Sequence, residues 1–269
     1  MKQETPIASA LQSIVDAGAL AGAVTLIWRP GQVSQVECVG WRNVATKTPM
    51  ARDTLFRIAS MTKPITSLAA LMLWEEGRFA LDDPISRWAP EFTDMRVLRE
   101  RTGSLAQTVP AQRPITLEDL LTHRAGFSYA DFEQGPIAQA YAEALGGNID
   151  NDYAPADWMA RLAALPLIDQ PGAAFHYGHA TDLLGLLIAR MEDTPLGDVF
   201  ARRIFEPLGM KDTGFTVAQA KRSRCAALHG FDEAGQLTIL PHAGQPCAAR
   251  AAGGHGLCLR RPGPLVDSG

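Results

Sequence analysis

The sequence predicts an α+β fold, an antiparallel sheet flanked by helices and joined to a mostly helical domain. Three observations predict it. Two strand-prone runs joined by a turn lie near the N-terminus, apolar residues recur at three- and four-residue spacing through the middle, and a short strand leads directly into a helix at Ser60. The expected division is 1–60 for the N-terminal part of the sheet domain, 61–257 for the mostly helical domain that carries a cleft, and 258–269 for an atypical tail.

The elements follow in order. Ile7, Leu11, Ile14 and Val15 share one helical face and Gly18 stops the periodicity, which predicts an opening helix over 7–18. Residues 23–28 and 33–39 are β-prone, and Arg29-Pro30-Gly31-Gln32 between them supplies a proline that presets one turn angle and a glycine that tolerates the next, so a hairpin is predicted. A third strand is predicted over 55–58. It runs into a helix whose apolar face is Ile65, Leu68, Ala69 and Met72 and which ends near Gly77. After a proline-rich and charged stretch, Ile115-Thr116-Leu117-Glu118-Asp119-Leu120 reads as a capped helix start, with Thr116 as N-cap, Asp119 three residues on, and Ile115 against Leu120; Gly126 is the expected end. Further helices are predicted over 155–165, 179–192 and 196–206. Trp28, Trp41, Trp74, Trp88 and Trp158 are expected in the core.

Composition narrows the functional classes. The chain has 269 residues, 46% of them apolar, with a formal net charge of −4 and a pI near 5.9. Neither sign of charge dominates, so nothing would concentrate nucleic acid or anionic lipid, and a small neutral or anionic substrate fits better. Met1 to Pro6 contains an acid and a proline where a secretory leader needs an apolar stretch, and no window reaches the roughly 20 apolar residues of a membrane span. A cytoplasmic location, without membrane or nucleic-acid partners, is the expectation. Cys38, Cys225, Cys247 and Cys258 are scattered without a C-x-x-C pair and read as reduced thiols. Oligomeric state is not legible.

The chemistry centres on Ser60-Met61-Thr62-Lys63. A serine hydroxyl is a poor nucleophile at neutral pH and needs a neighbour to take its proton as it attacks a carbonyl carbon. Lysine can do so only when neutral, and burial favours the neutral amine. Three residues apart at a helix start, Ser60 and Lys63 share a face, and the unpaired N–H groups there can stabilise a developing oxyanion. About one Ser-x-x-Lys arises by chance in a chain of this length. The setting of strand, serine and apolar helix is what selects this one.

Several segments together resemble the serine β-lactamase and penicillin-binding-protein superfamily, most of all its class C β-lactamase-like branch with the family VIII carboxylesterases. They are the run from Thr54 through Ser60 to Lys63, the run from Ile115 through His123 to Gly126, and Ile204-Phe205-Glu206-Pro207-Leu208-Gly209-Met210 followed by Asp212-Thr213-Gly214-Phe215. The likeness extends from about residue 7 to residue 257. It implies a β-lactamase-like fold, an acyl-enzyme on Ser60, no cofactor, and a small ester or β-lactam as substrate.

The same resemblance makes Tyr177, in Phe175-His176-Tyr177-Gly178-His179, the third catalytic residue, able to exchange a proton with Ser60 and the leaving group. His179 falls where β-lactamases carry a substrate-binding amide. That departure favours an ester over a β-lactam, with His179 as a substrate-binding residue. The family's Lys-Thr-Gly or His/Trp-x-Gly element, which lies on a late strand, is not found. Gly253-Gly254-His255-Gly256 matches a structural turn that precedes it, and Pro262-Gly263-Pro264 breaks the helix expected after Leu257. A chain truncated before its late strands is therefore expected, with an unpaired sheet edge and reduced stability.

The resulting expectation is a serine carboxylesterase. The alternatives are a β-lactamase or D-Ala-D-Ala-peptidase-like hydrolase, and a truncated binder without turnover. Gly126-Phe127-Ser128-Tyr129-Ala130 approximates the elbow of α/β-hydrolases, but a helix end in place of a strand precedes it. His176 and His179 lack a third ligand at a supporting spacing, so no metal is expected. Asp182 reads as a capping or packing partner.

Overall fold

The computed structural model describes residues 5–146, 153–240 and 258–259, which fall into two compact units. The first holds residues 5–57, 204–240 and 258–259. Its opening helix α1 (Pro6–Asp16) begins at Thr5, whose side chain accepts from the Ala8 N–H, with proline in the first turn where its missing N–H costs nothing. The predicted hairpin is β1 (Gly22–Arg29) with β2 (Gln32–Asn43), antiparallel, Gly22 opposite Gly40 and Trp28 opposite Val33. Gly31 turns it with φ +80°. Gly40 (φ +69°) admits no side chain, since a Cβ there would lie 2.4 Å from the Ala21 carbonyl oxygen. Strand β3 (Thr48–Pro49) pairs on the other side of β2.

The third predicted strand is shorter than expected. Only β4 (Phe56–Arg57) is formed, antiparallel to the short strand Cys258–Leu259, while Leu55 bridges in parallel to Cys225. Leu55 N–H donates to the Arg224 carbonyl (3.0 Å) and Ala226 N–H to the Leu55 carbonyl (2.9 Å), and buried Leu55 and Val217 pack with Cys225. These bonds tie residues 204–240, which the sequence reading places with the helices, to the N-terminal sheet.

The second unit holds residues 58–146 and 153–203. It contains α2 (Thr62–Glu75), the hairpin β5 (Arg96–Leu98) with β6 (Thr108–Pro110), and helices α3 (Leu117–Leu121), α4 (Pro136–Leu145), α5 (Pro155–Ala163), α6 (Ala180–Glu192) and α7 (Leu196–Phe200). Helix α6 is its centre. Residues 180–188 are all buried, against α2, α3 and α7, an apolar run whose polar members are Thr181 and Asp182. The run predicted as one helix over 196–206 changes after Phe200 to a π-helical turn over Ala201–Phe205.

The capping box at Thr116 is present. The Thr116 hydroxyl accepts from Asp119 N–H (3.3 Å), and Asp119 accepts from Thr116 N–H (2.9 Å) and from both terminal nitrogens of Arg113 (2.6 and 2.8 Å). Burial pushes the Asp119 carboxyl up, but the Arg113 bonds and the Thr116 N–H outweigh it and the net shift is downward. The helix does not reach Gly126. His123 takes a left-handed conformation (φ +55°) that ends it, and Arg124 and Gly126 instead bond along 168–172, with Ile168 N–H on the Gly126 carbonyl (2.9 Å) and Gly172 N–H on the Arg124 carbonyl (2.8 Å).

Of the tryptophans, Trp158 is buried and Trp88 half-buried, but Trp28, Trp41 and Trp74 are exposed. The run Gly253 to Gly256 and the tail from Arg260 onward lie outside the described residues. Among the described residues no helix is long and apolar enough to cross a membrane.

Candidate active site

After β4, Ala59 is forced to φ +43°, a conformation disfavoured for a residue with a side chain, and starts a 3-10 turn (Ala59–Met61) that leads into α2. Half-buried Ser60 sits in this turn and Lys63 one position into the helix, so that Lys63 Nζ lies 3.3 Å from Ser60 Oγ. Lys63 is 7% exposed. The buried face of α2 is Thr62, Lys63, Thr66, Ala69, Ala70 and Leu73, whereas Leu68, Leu71 and Trp74 face outward. The expected face, Ile65, Leu68, Ala69 and Met72, is therefore rotated. Bringing Lys63 and two threonines inward displaces the larger apolar side chains.

Two tyrosine rings face the lysine. Lys63 Nζ lies 4.7 Å from the centre of the Tyr177 ring and 5.5 Å from that of Tyr129, and the two rings meet edge to face at 5.7 Å. A glycine makes this possible. A Cβ on Gly178 would come within 2.4 Å of Ser128 Cα, so the Tyr177-Gly178-His179 segment passes in backbone contact with the loop that carries Tyr129.

The tyrosines differ in chemistry. Tyr129 donates its hydroxyl to Asp182 Oδ2 (3.1 Å), and burial together with the Asp182 charge pushes its pKa far up, which fixes it as a neutral donor. Sequence reasoning missed Tyr129, which lies in the elbow-like run around Ser128. Ser128 itself is 1% exposed, its N–H donates to the Tyr141 hydroxyl (3.3 Å), and its side chain bonds the Glu133 carboxylate.

The histidines separate. His176 Nε2 lies 3.2 Å from Asp169 and His179 Nδ1 lies 3.3 Å from Asp182, so each serves a different carboxylate. Asp182, expected as a capping or packing partner, is a buried acceptor shared by Tyr129 and His179. The ring of His123 lies against Tyr177 at 5.1 Å, its Nε2 is 3.2 Å from Thr181 Oγ1, and its Nδ1 is buried without a hydrogen-bond partner among the described residues. Burial, then the Lys63 charge, lowers its pKa from 6.5 to about 4, against a smaller opposing pull from Asp182.

His123 thus binds fewer protons when folded than when unfolded between these two values, so stability rises with pH across that window. The contribution is complete above 6.5 and is lost as pH falls through about 4. The melting temperature of the protein is expected to fall over this range and that of His123→Gln to fall less. Parallel melting profiles for the two proteins would contradict the assignment.

All of these side chains belong to residues 58–203. The fold is β-lactamase-like, with antiparallel strands and helices, and carries a Ser-Lys pair under a tyrosine. The Beta-lactamase family model matches residues 7–257, and the chain belongs to that family. It is 44% identical over 250 residues to a protein of Mycobacterium tuberculosis, an alignment covering 91% of this chain and 61% of that one. It is 35% identical over 204 residues to esterase EstB of Burkholderia gladioli, covering 76% of this chain and 49% of the esterase. Among solved structures, EstCE1, a hydrolase with promiscuous acyltransferase activity, superposes with a TM-score of 0.78 at 28% identity over 94% of this chain and 68% of that one. This chain is thus similar to an esterase and to a hydrolase with promiscuous acyltransferase activity. It spans about half to two thirds of their length.

Proposed function

We propose that this chain carries the acylating site of a serine hydrolase that cleaves carboxylic esters through an acyl-enzyme on Ser60. The observation that carries the reading is the buried Lys63 Nζ 3.3 Å from Ser60 Oγ. In the proposed cycle neutral Lys63 accepts the Ser60 proton as Oγ attacks the ester carbonyl. Tyr177 then passes a proton to the departing alkoxide, the Ser60–acyl bond remains, and water attacks it by the reverse route. The substrate is a small ester, and the His179 side chain, in place of an amide, weighs against β-lactams. A cytoplasmic location belongs to the same reading.

The matching test is steady-state hydrolysis of a short-chain p-nitrophenyl ester beside a chromogenic cephalosporin. The ester is expected to be turned over with the larger kcat/KM. Preference for the cephalosporin would replace the esterase reading with a β-lactamase one, and retention of ester without turnover would favour a binder.

Tyr177 and Tyr129 supply an internal comparison. Tyr177→Phe is expected to lower kcat by about a hundredfold or more, the usual worth of a positioned acid-base group. Tyr129→Phe removes a donor to Asp182 and not a proton carrier, so a loss below about tenfold is expected. The reverse order would exchange their roles.

Acyl transfer to an alcohol is a second reading, favoured by the acyltransferase activity named for EstCE1. It uses the same acyl-enzyme with an alcohol in place of water, and a rise in ester product on adding a simple alcohol would reveal it.

A further inference from the structure

The proposed cycle uses Ser60, Lys63 and Tyr177 and leaves the chemistry of His179 undefined. Its surroundings define it. Asp182 Oδ2 lies 3.3 Å from His179 Nδ1 and 3.1 Å from the Tyr129 hydroxyl, and the Asp182 side chain is only 3% exposed. A carboxylate can only accept, so both neighbours donate, and the hydrogen of a neutral His179 ring resides on Nδ1. Nε2 is then a bare lone pair. No hydrogen bond to Nε2 is made among the described residues, and the side chain keeps 15% of its surface exposed.

The ring is also held in orientation. Tyr129 (4.4 Å) and Trp158 (5.6 Å) meet it edge-on and Tyr141 (5.8 Å) lies tilted beside it, so it cannot turn over to exchange its nitrogens without displacing buried aromatics. Tyr129 adjoins both Lys63, 5.5 Å from its ring centre, and His179, 4.4 Å away, so a single ring lies between the lysine and the histidine. An amide side chain at this position could donate to a substrate carbonyl; a histidine held in this tautomer cannot.

We infer that Asp182 and Tyr129 position His179 as a fixed hydrogen-bond acceptor, which makes the site selective for esters whose acyl chain carries a donor, a hydroxyl or amide N–H, over those offering a carbonyl or ether oxygen there. The selectivity rests on the Ser60 hydrolase reading; the tautomer does not. His179 is the specificity-determining residue, and Asp182 and Tyr129 act through it.

The test compares two substrates that differ by one methyl group, p-nitrophenyl β-hydroxybutanoate and p-nitrophenyl β-methoxybutanoate, at about pH 8. The hydroxy ester is expected to have the larger kcat/KM, by about five- to tenfold, the worth of one hydrogen bond. His179→Phe removes the preference. Asp182→Asn introduces a carboxamide that can donate to Nδ1, which favours the other tautomer, as the same replacement does for the histidine of a Ser-His-Asp triad, and it is expected to reverse the ratio. A structural role alone would slow both esters equally and leave the ratio unchanged, and that result overturns the inference. Nitrogen NMR of protein with isotope-labelled histidine supplies a readout without turnover. The Nδ1–H tautomer is expected for His179, and a proton on Nε2 overturns the inference. Binding of the two esters to Ser60→Ala, followed on the His179 ring signals, is expected to show the same preference. If Ser60 is never acylated but this binding preference stands, the hydrolase reading alone has failed.

Discussion

Ser60→Ala is expected to lower ester turnover by at least about a thousandfold, or about 4 kcal/mol of transition-state stabilisation. The substitution removes one oxygen from a half-buried turn and leaves Lys63, Tyr177 and the capping contacts of the unit in place, so the melting temperature should stay close to that of the parent. Loss of rate without loss of fold is the signature of a nucleophile, because the covalent step has no substitute once Oγ is gone. Ser128 provides the control. Its hydroxyl faces Glu133 in a buried site, so Ser128→Ala is expected to cost stability, with kcat little changed in the fraction that folds. If Ser128→Ala and not Ser60→Ala abolished turnover, the elbow-like run would be the active site.

Lys63→Met is the second large effect. Methionine fills similar volume without an amine, and kcat is expected to fall by about a hundredfold to ten-thousandfold as the proton acceptor for Ser60 disappears. Lys63→Arg should be nearly as poor, since a guanidinium stays charged and cannot accept that proton. The substitution has a second consequence, independent of catalysis. The Lys63 charge helps depress His123, so in Lys63→Met the His123 ring should titrate above about 4, moving back toward its ordinary value. A His123 titration unmoved by Lys63→Met would mean that burial alone sets it.

Elements written in local chemistry were legible in the sequence. The hairpin turn at Pro30-Gly31, the capping box at Thr116 and the apolar length of the central helix each depend on residues within one turn or strand of each other, and the structure contains all three. Periodicity failed where burial does not follow hydrophobicity. Helix α2 turns Thr62, Lys63 and Thr66 inward and Leu68 outward, a placement that no apolar count reports. The end of α3 was misplaced for a related reason. His123, three residues ahead of the expected Gly126, already adopts the left-handed conformation there, and it bonds to His176 and Thr181 far along the chain.

The candidate site was half legible. Ser60 and Lys63 are neighbours in sequence and their approach could be read from helical spacing. Tyr177 and His179 came only from the family resemblance. The hydrogen bond that distinguishes Tyr129 runs to Asp182, 53 residues away, and no pattern in one sequence announces it. Tyr129 stands beside the serine of the elbow-like run Gly126 to Ala130, whose pattern marks the serine and not the tyrosine.

The central claim is that Ser60 becomes acylated, and the most direct measurement is the mass of the protein quenched during turnover of a slowly hydrolysed p-nitrophenyl ester, followed by peptide mapping. The account predicts an added acyl group on the peptide containing Ser60, absent from Ser60→Ala and accumulating when Lys63 is replaced only to the extent that residual acylation allows. Turnover with no adduct on that peptide, or with the adduct on Ser128, would contradict it.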